Sequence, residues 1–215
     1  MGKLRSIGGA YSRTVKSMMR IIVAVILAAG SFPLTSVGAE PDHAPQYTSE
    51  GKLILPADYR EWIFISSGHG MTYGPNTRAS TSPLFDNVFV NPEAYRAFLK
   101  TGSWPDKTTF VLEIRHAATE GSINKGGEFQ KDLVFTEAEV KDESRFNGGW
   151  GYFEFPPEAK AAKLLPKTAE CYSCHAENTA VEQTFVQFYP TLMNIAREKG
   201  TVKKTYQEAS RPAAN

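Results

Sequence analysis

The chain alternates short aromatic and β-branched runs with short polar breaks over most of its length, then changes period near its C-terminus. Residues 60–66 (REWIFIS), 84–90 (LFDNVFV), 108–117 (TTFVLEIRHA), 132–140 (DLVFTEAEV) and 149–155 (GWGYFEF) each read as a strand, separated by Gly- and Pro-bearing breaks. In TTFVLEIR, a two-residue period puts Phe110, Leu112 and Ile114 on one face and Thr109, Val111, Glu113 and Arg115 on the other. NPEAYRAFLKTG carries helix punctuation: Asn91 as N-cap, Pro92 at the first position and Gly102 as the stop. Beyond Pro157 the spacing turns helical, in EAKAAKLL (158–165), in the segment around Cys171, and in PTLMNIAREK (190–199) ending at Gly200. Strands first and helices last, with hairpin-scale spacing, predict an α+β fold: a mainly antiparallel sheet carrying a few short helices on one face or end.

The first twenty residues break this pattern. They hold five basic side chains and no acid, and the apolar run Ile21–Gly30 and a small-residue stretch ending at Ala39 follow. That is the layout of a secretory signal peptide, residues 1–39, cleaved near Ala39. A membrane-spanning helix needs about 20 apolar residues; this run is half that, with Pro33 just beyond, so no stable membrane anchor is expected. Cleavage leaves 19 basic residues against 23 acids, a net charge of −4, which gives no case for a nucleic-acid partner. The mature chain reads as one domain, 51–200, between a loose N-terminal arm, 40–50, and a C-terminal tail, 201–215, frayed over TYQEASRPAAN (205–215), in a protein expected to be exported to the periplasm.

Export changes the meaning of the only two cysteines, which fall in ECYSCHAEN with His175 directly after Cys174. A thioredoxin-like site would need a βαβ unit and would leave His175 unexplained. A structural zinc site needs four ligands, and there is no second cysteine pair and only three other histidines. Cys-x-x-Cys-His has one economical joint use: two thioethers fix a haem through Cys171 and Cys174, and His175 presents an imidazole nitrogen to the iron. One haem c is therefore the expected cofactor.

A sixth iron ligand is hard to find. Met193 lies on the apolar stripe of Leu192, Ile195 and Ala196 and reads as core. Met71, in GHGMTYGP, and His69, between glycines, are the remaining candidates, since His43 falls in the arm and His116 ends a strand facing solvent. A five-coordinate iron with an open face is expected.

YREWIFISSGHGMTYGP, FDNVFVNPEAYRAFLKTGSWPDKTTFVLEIR, VKDESRFNGGWGYFEF and AECYSCHAENTAVEQTFVQFYPTL together resemble the cytochrome P-460 family, which includes the cytochromes c′-beta, over about residues 50–198. The resemblance implies a homodimer with one c-type haem, a proximal histidine at His175, and a distal face for small nitrogen species. Family members that oxidise hydroxylamine carry a strand lysine cross-linked to the porphyrin; the corresponding position here holds Leu112, which has no nucleophilic nitrogen. Lys100 and Lys107, at a helix end and a turn, read as solvated charge. The expectation is therefore a protein that binds NO or a related ligand against a distal wall of Phe110, Leu112 and Ile114, because an apolar wall disfavours unpartnered polar or charged ligands. Oxidation of hydroxylamine or NO, with electrons passed to a soluble redox carrier, is the alternative, and electron transfer with a hidden sixth ligand a third. Oxidation would want a proton acceptor, for which Glu182, seven residues after His175 on an extended helix, is the acid to test.

Overall fold

The computed structural model describes residues 42–73 and 83–209. The expected signal peptide lies outside them. Seven strands are present among the described residues: β1 (Leu53–Ile54), β2 (Ile63–His69), β3 (Leu84–Val90), β4 (Thr109–Ala118), β5 (Phe129–Lys141), β6 (Trp150–Phe155) and β7 (Ala161–Ala162). The middle five form one antiparallel meander in the order β2-β3-β4-β5-β6, and β1 pairs with β7 in a second, two-stranded sheet. Four short α-helices lie among the described residues: α1 (Pro92–Thr101), α2 (Glu170–Asn178), α3 (Met193–Lys199) and α4 (Lys204–Ala209). The architecture is α+β, mostly antiparallel sheet, as the alternating pattern predicts.

The two-residue period assigns the faces. One face of the meander carries Val90, Phe110 and Tyr152, which join Ala94 and Phe98 of α1 and Leu192, Met193 and Ala196 near the C-terminus in the largest core. The opposite face carries Val111, packed with Tyr59 and Trp62, and Ala138, Val140, Phe153 and Phe155, packed with Leu53 and Ala162. Both faces are thus covered, the first by helices. Met193 is core, as its stripe predicts.

Helix α1 starts and stops where its punctuation says, but Asn91 works differently from a cap. Its carbonyl accepts the first helical bond, from Tyr95 at 3.2 Å. Its side-chain Oδ1 accepts the Thr109 backbone N–H at 2.9 Å, stapling the helix start to β4. Gly102 ends the helix at φ 74, where a Cβ would also lie 2.7 Å from that of Lys199.

Three local expectations fail, each because tertiary contacts override local pattern. Residues 158–165 are not helical: Ala161 and Ala162 pair with Ile54 and Leu53, and the Leu165 N–H donates to the Tyr152 carbonyl at 2.9 Å. The arm is tied down from Asp42 onward, with His43 Nδ1 3.0 Å from Glu93, Nε2 3.4 Å from Asp58 and its ring edge-on to Trp62. The start of the tail is likewise docked: Val202 is buried, and Lys203 Nζ donates to the Ala176 carbonyl at 3.0 Å and to Thr179 Oγ1 at 2.8 Å.

Candidate functional site

Two adjoining cavities open on the helix-covered face of the sheet, and they share Tyr73, Leu112, Glu137, Phe185 and Tyr189 as lining residues. The first, of about 290 Å³, is also lined by Cys171, Cys174 and His175. The second, of about 340 Å³, lies toward β2 and β3, with Met71, Asp86, Val88, Ile114 and Phe188 in its wall.

Helix α2 supplies the three residues of the Cys-x-x-Cys-His segment. Offsets of three and four residues put Cys171, Cys174 and His175 on neighbouring positions of one helical face. Neither thiol is in a disulfide, and burial pushes the Cys171 thiol above its ordinary value.

The imidazole of His175 is held from several sides. Its Nδ1 lies 2.7 Å from the Gln183 carbonyl. A carbonyl can only accept, so Nδ1 carries a proton, and in the neutral ring Nε2 keeps the lone pair. Tyr152 and Phe185 flank the ring, each with its centroid 4.6 Å away. Glu139 Oε1 stands 3.4 Å from the same Nδ1 and is buried without a hydrogen-bond partner. Burial raises the Glu139 carboxyl above its ordinary value, against the pull of His175. For His175, burial works downward, but Glu139 and the Gln183 carbonyl outweigh it and hold the imidazole above its usual range.

This arrangement fits a haem. Ligating histidines characteristically donate their second ring N–H to a carbonyl or carboxylate, which fixes the tautomer and raises the basicity of the other nitrogen. Here both kinds of acceptor face Nδ1, two unpaired thiols share the cavity, and aromatic rings supply flat apolar walls.

The other sequence-derived candidates divide. Leu112 lines both cavities and Ile114 the second, as strand alternation predicts. Phe110 does not join them: it is fully buried in the core, edge-on to Trp104 at 4.8 Å. Met71 reaches the second cavity. His69 faces away, on the opposite side of β2, with Nε2 2.7 Å from Glu128 and its ring stacked on Phe85. Glu182 is not on an extended helix, since α2 ends at Asn178; its carboxylate accepts from the Trp104 N–H at 3.0 Å and pairs with Lys141 at 2.8 Å. Among the described residues no lysine lines either cavity. Lys107 bonds Asp142 from a left-handed backbone position, and Lys100 is exposed.

The family model of cytochrome P460 matches residues 56–186, which take in the sheet and the whole Cys-x-x-Cys-His segment. The chain belongs to the cytochrome P460 family. Membership makes it a haem c cytochrome. Comparison with curated proteins gave no match.

Within this cytochrome P460 fold, β5 contributes two residues that sequence reasoning missed. Glu137 stands directly opposite Leu112 on β4 and opposite Glu154 on β6. Burial, then the neighbouring Glu154 carboxylate, push its carboxyl up to about 7. Glu139 lies one step further along the same face. The alternation in TEAEVK held the signal: applied to β5 as it was to β4, it puts both acids on the site face. Gln183, Phe185 and Tyr189 lie in irregular chain after α2, where no period marks them.

Proposed function

We propose that this cytochrome carries one haem c attached through Cys171 and Cys174, with His175 Nε2 as the proximal iron ligand, and that it binds NO or a related small nitrogen ligand on the other side. When bound, the haem supplies an iron with one open coordination position. The observation that carries the reading is the single cavity system shared by the two thiols, the tautomer-fixed His175 and an apolar wall at Leu112. Cys171 and Cys174 hold, and the Gln183 carbonyl and Glu139 orient His175. Leu112, Ile114, Val88 and Phe188 give the second cavity an apolar wall, which favours a neutral diatomic over an anion. An absorption spectrum of the purified protein, oxidised and reduced, with and without NO, tests this. A high-spin ferrous form that changes on mixing with NO is expected, and a low-spin six-coordinate ferrous form overturns it. Haem should remain with the polypeptide on a denaturing gel, and Cys171→Ala with Cys174→Ala should abolish that.

A second reading, oxidation of hydroxylamine or NO with electrons leaving to a soluble carrier, is favoured by Glu137. A carboxylate poised near neutrality in the cavity wall can accept a proton from a bound ligand. Leu112 argues against a porphyrin cross-link of the hydroxylamine-oxidising kind. Electron transfer with a sixth ligand is supported only by Met71, which reaches the second cavity. We also propose a periplasmic location, on the N-terminal leader pattern, and a homodimer, on the family resemblance. No helix among the described residues is long and apolar enough to cross a membrane.

A further inference from the structure

The chain between α2 and the C-terminal helices reverses at residues 181–184. The Thr184 N–H donates to the Val181 carbonyl at 2.9 Å, closing a two-residue turn whose central residues are Glu182 and Gln183. Of these only Glu182 has positive φ, at 49°. A hairpin turn with positive φ at its first central position favours glycine there, because a Cβ in left-handed backbone is strained. A glutamate in that place is an outlier, and the next residue supplies the carbonyl that receives the His175 Nδ1 proton.

The Glu182 side chain is held at both oxygens. Oε1 accepts the Trp104 backbone N–H at 3.0 Å, and Oε2 accepts from Lys141 Nζ at 2.8 Å. Lys141 also donates to the Trp104 carbonyl at 2.7 Å, so the three residues close a ring. Trp104 is almost fully buried, and its Nε1 donates to Thr184 Oγ1 at 2.8 Å, on the far side of the turn. The Glu182 carbonyl accepts from Thr179 Oγ1 at 3.0 Å, and that hydroxyl reaches the His175 carbonyl at 2.5 Å. The turn is therefore bolted to β5 and to the segment before β4. Its free product is one carbonyl aimed at the imidazole.

We propose that Glu182 is a positioning residue for the proximal side of the haem: its Lys141 and Trp104 contacts hold the 181–184 turn so that the Gln183 carbonyl keeps a short hydrogen bond from His175 Nδ1, which sets how strongly Nε2 donates to the iron. This rests on the reading of His175 as iron ligand. The physical link is general, since a stronger hydrogen bond from the second ring nitrogen makes the first more basic, and such partners act on metal affinity by about 10–100-fold when removed. A more basic imidazole stabilises ferric over ferrous iron, so loosening the turn raises the potential.

The test uses the holoprotein, with the ferrous iron–histidine stretch read by resonance Raman and the haem potential by spectroelectrochemical titration. Glu182→Ala removes the clamp and keeps the strain. It should lower the stretching frequency and shift the ferrous-to-ferric ratio about tenfold toward ferrous, about 59 mV for one electron. Glu182→Gln keeps an acceptor for Trp104 and should fall between Ala and wild type. Glu182→Gly relieves the left-handed strain, so its melting temperature should exceed that of the Ala variant while the stretch stays soft. A purely structural role predicts the opposite: all three variants change melting temperature and leave the stretch and potential at wild-type values, which overturns the proposal. If Ala fails to retain haem, the Gln and Gly variants decide on the same two readouts. His175→Ala separates the failures. If the iron–histidine band survives in it, the ligand assignment itself is wrong; if the band is lost there but unmoved by every Glu182 variant, only this inference is.

Discussion

Glu113 offers a test of the sheet that does not pass through the haem. It lies on β4 between Leu112 and Ile114, but on the opposite face, and is 3 % exposed. Oε1 accepts from the Tyr59 hydroxyl at 2.5 Å and Arg60 Nε at 2.6 Å, and Oε2 accepts from Arg115 Nε at 2.8 Å. Glu113→Ala removes the charged acceptor of the buried Tyr59 hydroxyl, at a cost of about 1–3 kcal/mol. Arg60, with its side chain 59 % exposed, recovers hydration, and Arg115 does so in part. The loss should therefore sit near the low end of the roughly 3–5 kcal/mol that follows breaking a buried ion pair, about 3 kcal/mol. With a urea m-value of about 2 kcal/mol per molar, the unfolding midpoint falls by about 1.5 M. Burial pushes the Glu113 carboxyl up, but the hydrogen bonds from Arg115, Tyr59 and Arg60 outweigh it, so the folded group ionises below its ordinary 4.5. Its contribution is then present above that value and lost as pH falls through the folded pKa, so the gap between wild type and Glu113→Ala should close in acid. Equilibrium urea unfolding of the holoprotein at several pH values measures this, with NO association rates as the control. A midpoint shift below about 0.5 M at neutral pH refutes the energetics. A changed NO rate refutes the separation of the two faces.

Other outcomes follow from the cavity walls. Wild-type ferrous protein should show an ordinary c-type Soret band; a red-shifted band would mean that some lysine outside the cavity lining cross-links. Leu112→Ala should widen the junction of the two cavities and raise NO on-rates, whereas Leu112→Lys puts an ammonium directly opposite Glu137 and should depress them. If hydroxylamine is oxidised at all, the rate should rise with pH through about 7, because the Glu137 carboxylate must be free to accept a proton. Glu137→Gln should flatten that profile and leave NO binding intact, and an unchanged profile would remove Glu137 from the chemistry. Intact mass of secreted protein should show loss of the first 39 residues plus one haem; full-length chain in membranes would refute cleavage.

The legible parts of the sequence were those governed by period. Alternation along TTFVLEIR found the face of Leu112 and Ile114, and the punctuation around Asn91, Pro92 and Gly102 found α1. Phe110 shows the limit: it shares that face but stands at the end of the strand covered by Trp104, where the cavity has closed. The β1–β7 pair was invisible because two-residue strands have no period, and Ala161 and Ala162 are better helix formers than strand formers until Leu53 and Ile54 pair with them. Glu182 was misplaced for a related reason. Seven residues from His175 implies one face only if the helix continues, and α2 ends after Asn178.

Strand β5 has a consequence for how such a site can change over time. Glu137, Glu139 and Lys141 sit on one face at two-residue intervals, spanning about 14 Å at about 3.4 Å per residue. The first lines both cavities, the second stands beside the His175 imidazole, and the third clamps the turn behind it. The strand is a graduated rule with three functions marked on it. Between Phe135 and the first mark the ladder is regular, so a one-residue insertion there would carry all three to the Ala138 and Val140 face and bring threonine, alanine and valine into the site; further back one such step is already absorbed, where Leu133 and Phe135 pair with the consecutive Arg115 and Ile114. Change at the marks themselves then runs by substitution, one at a time, while the β4–β5 hairpin, where Thr119 to Glu128 sits outside both strands, and the irregular step at Val134 can take up length without moving the scale.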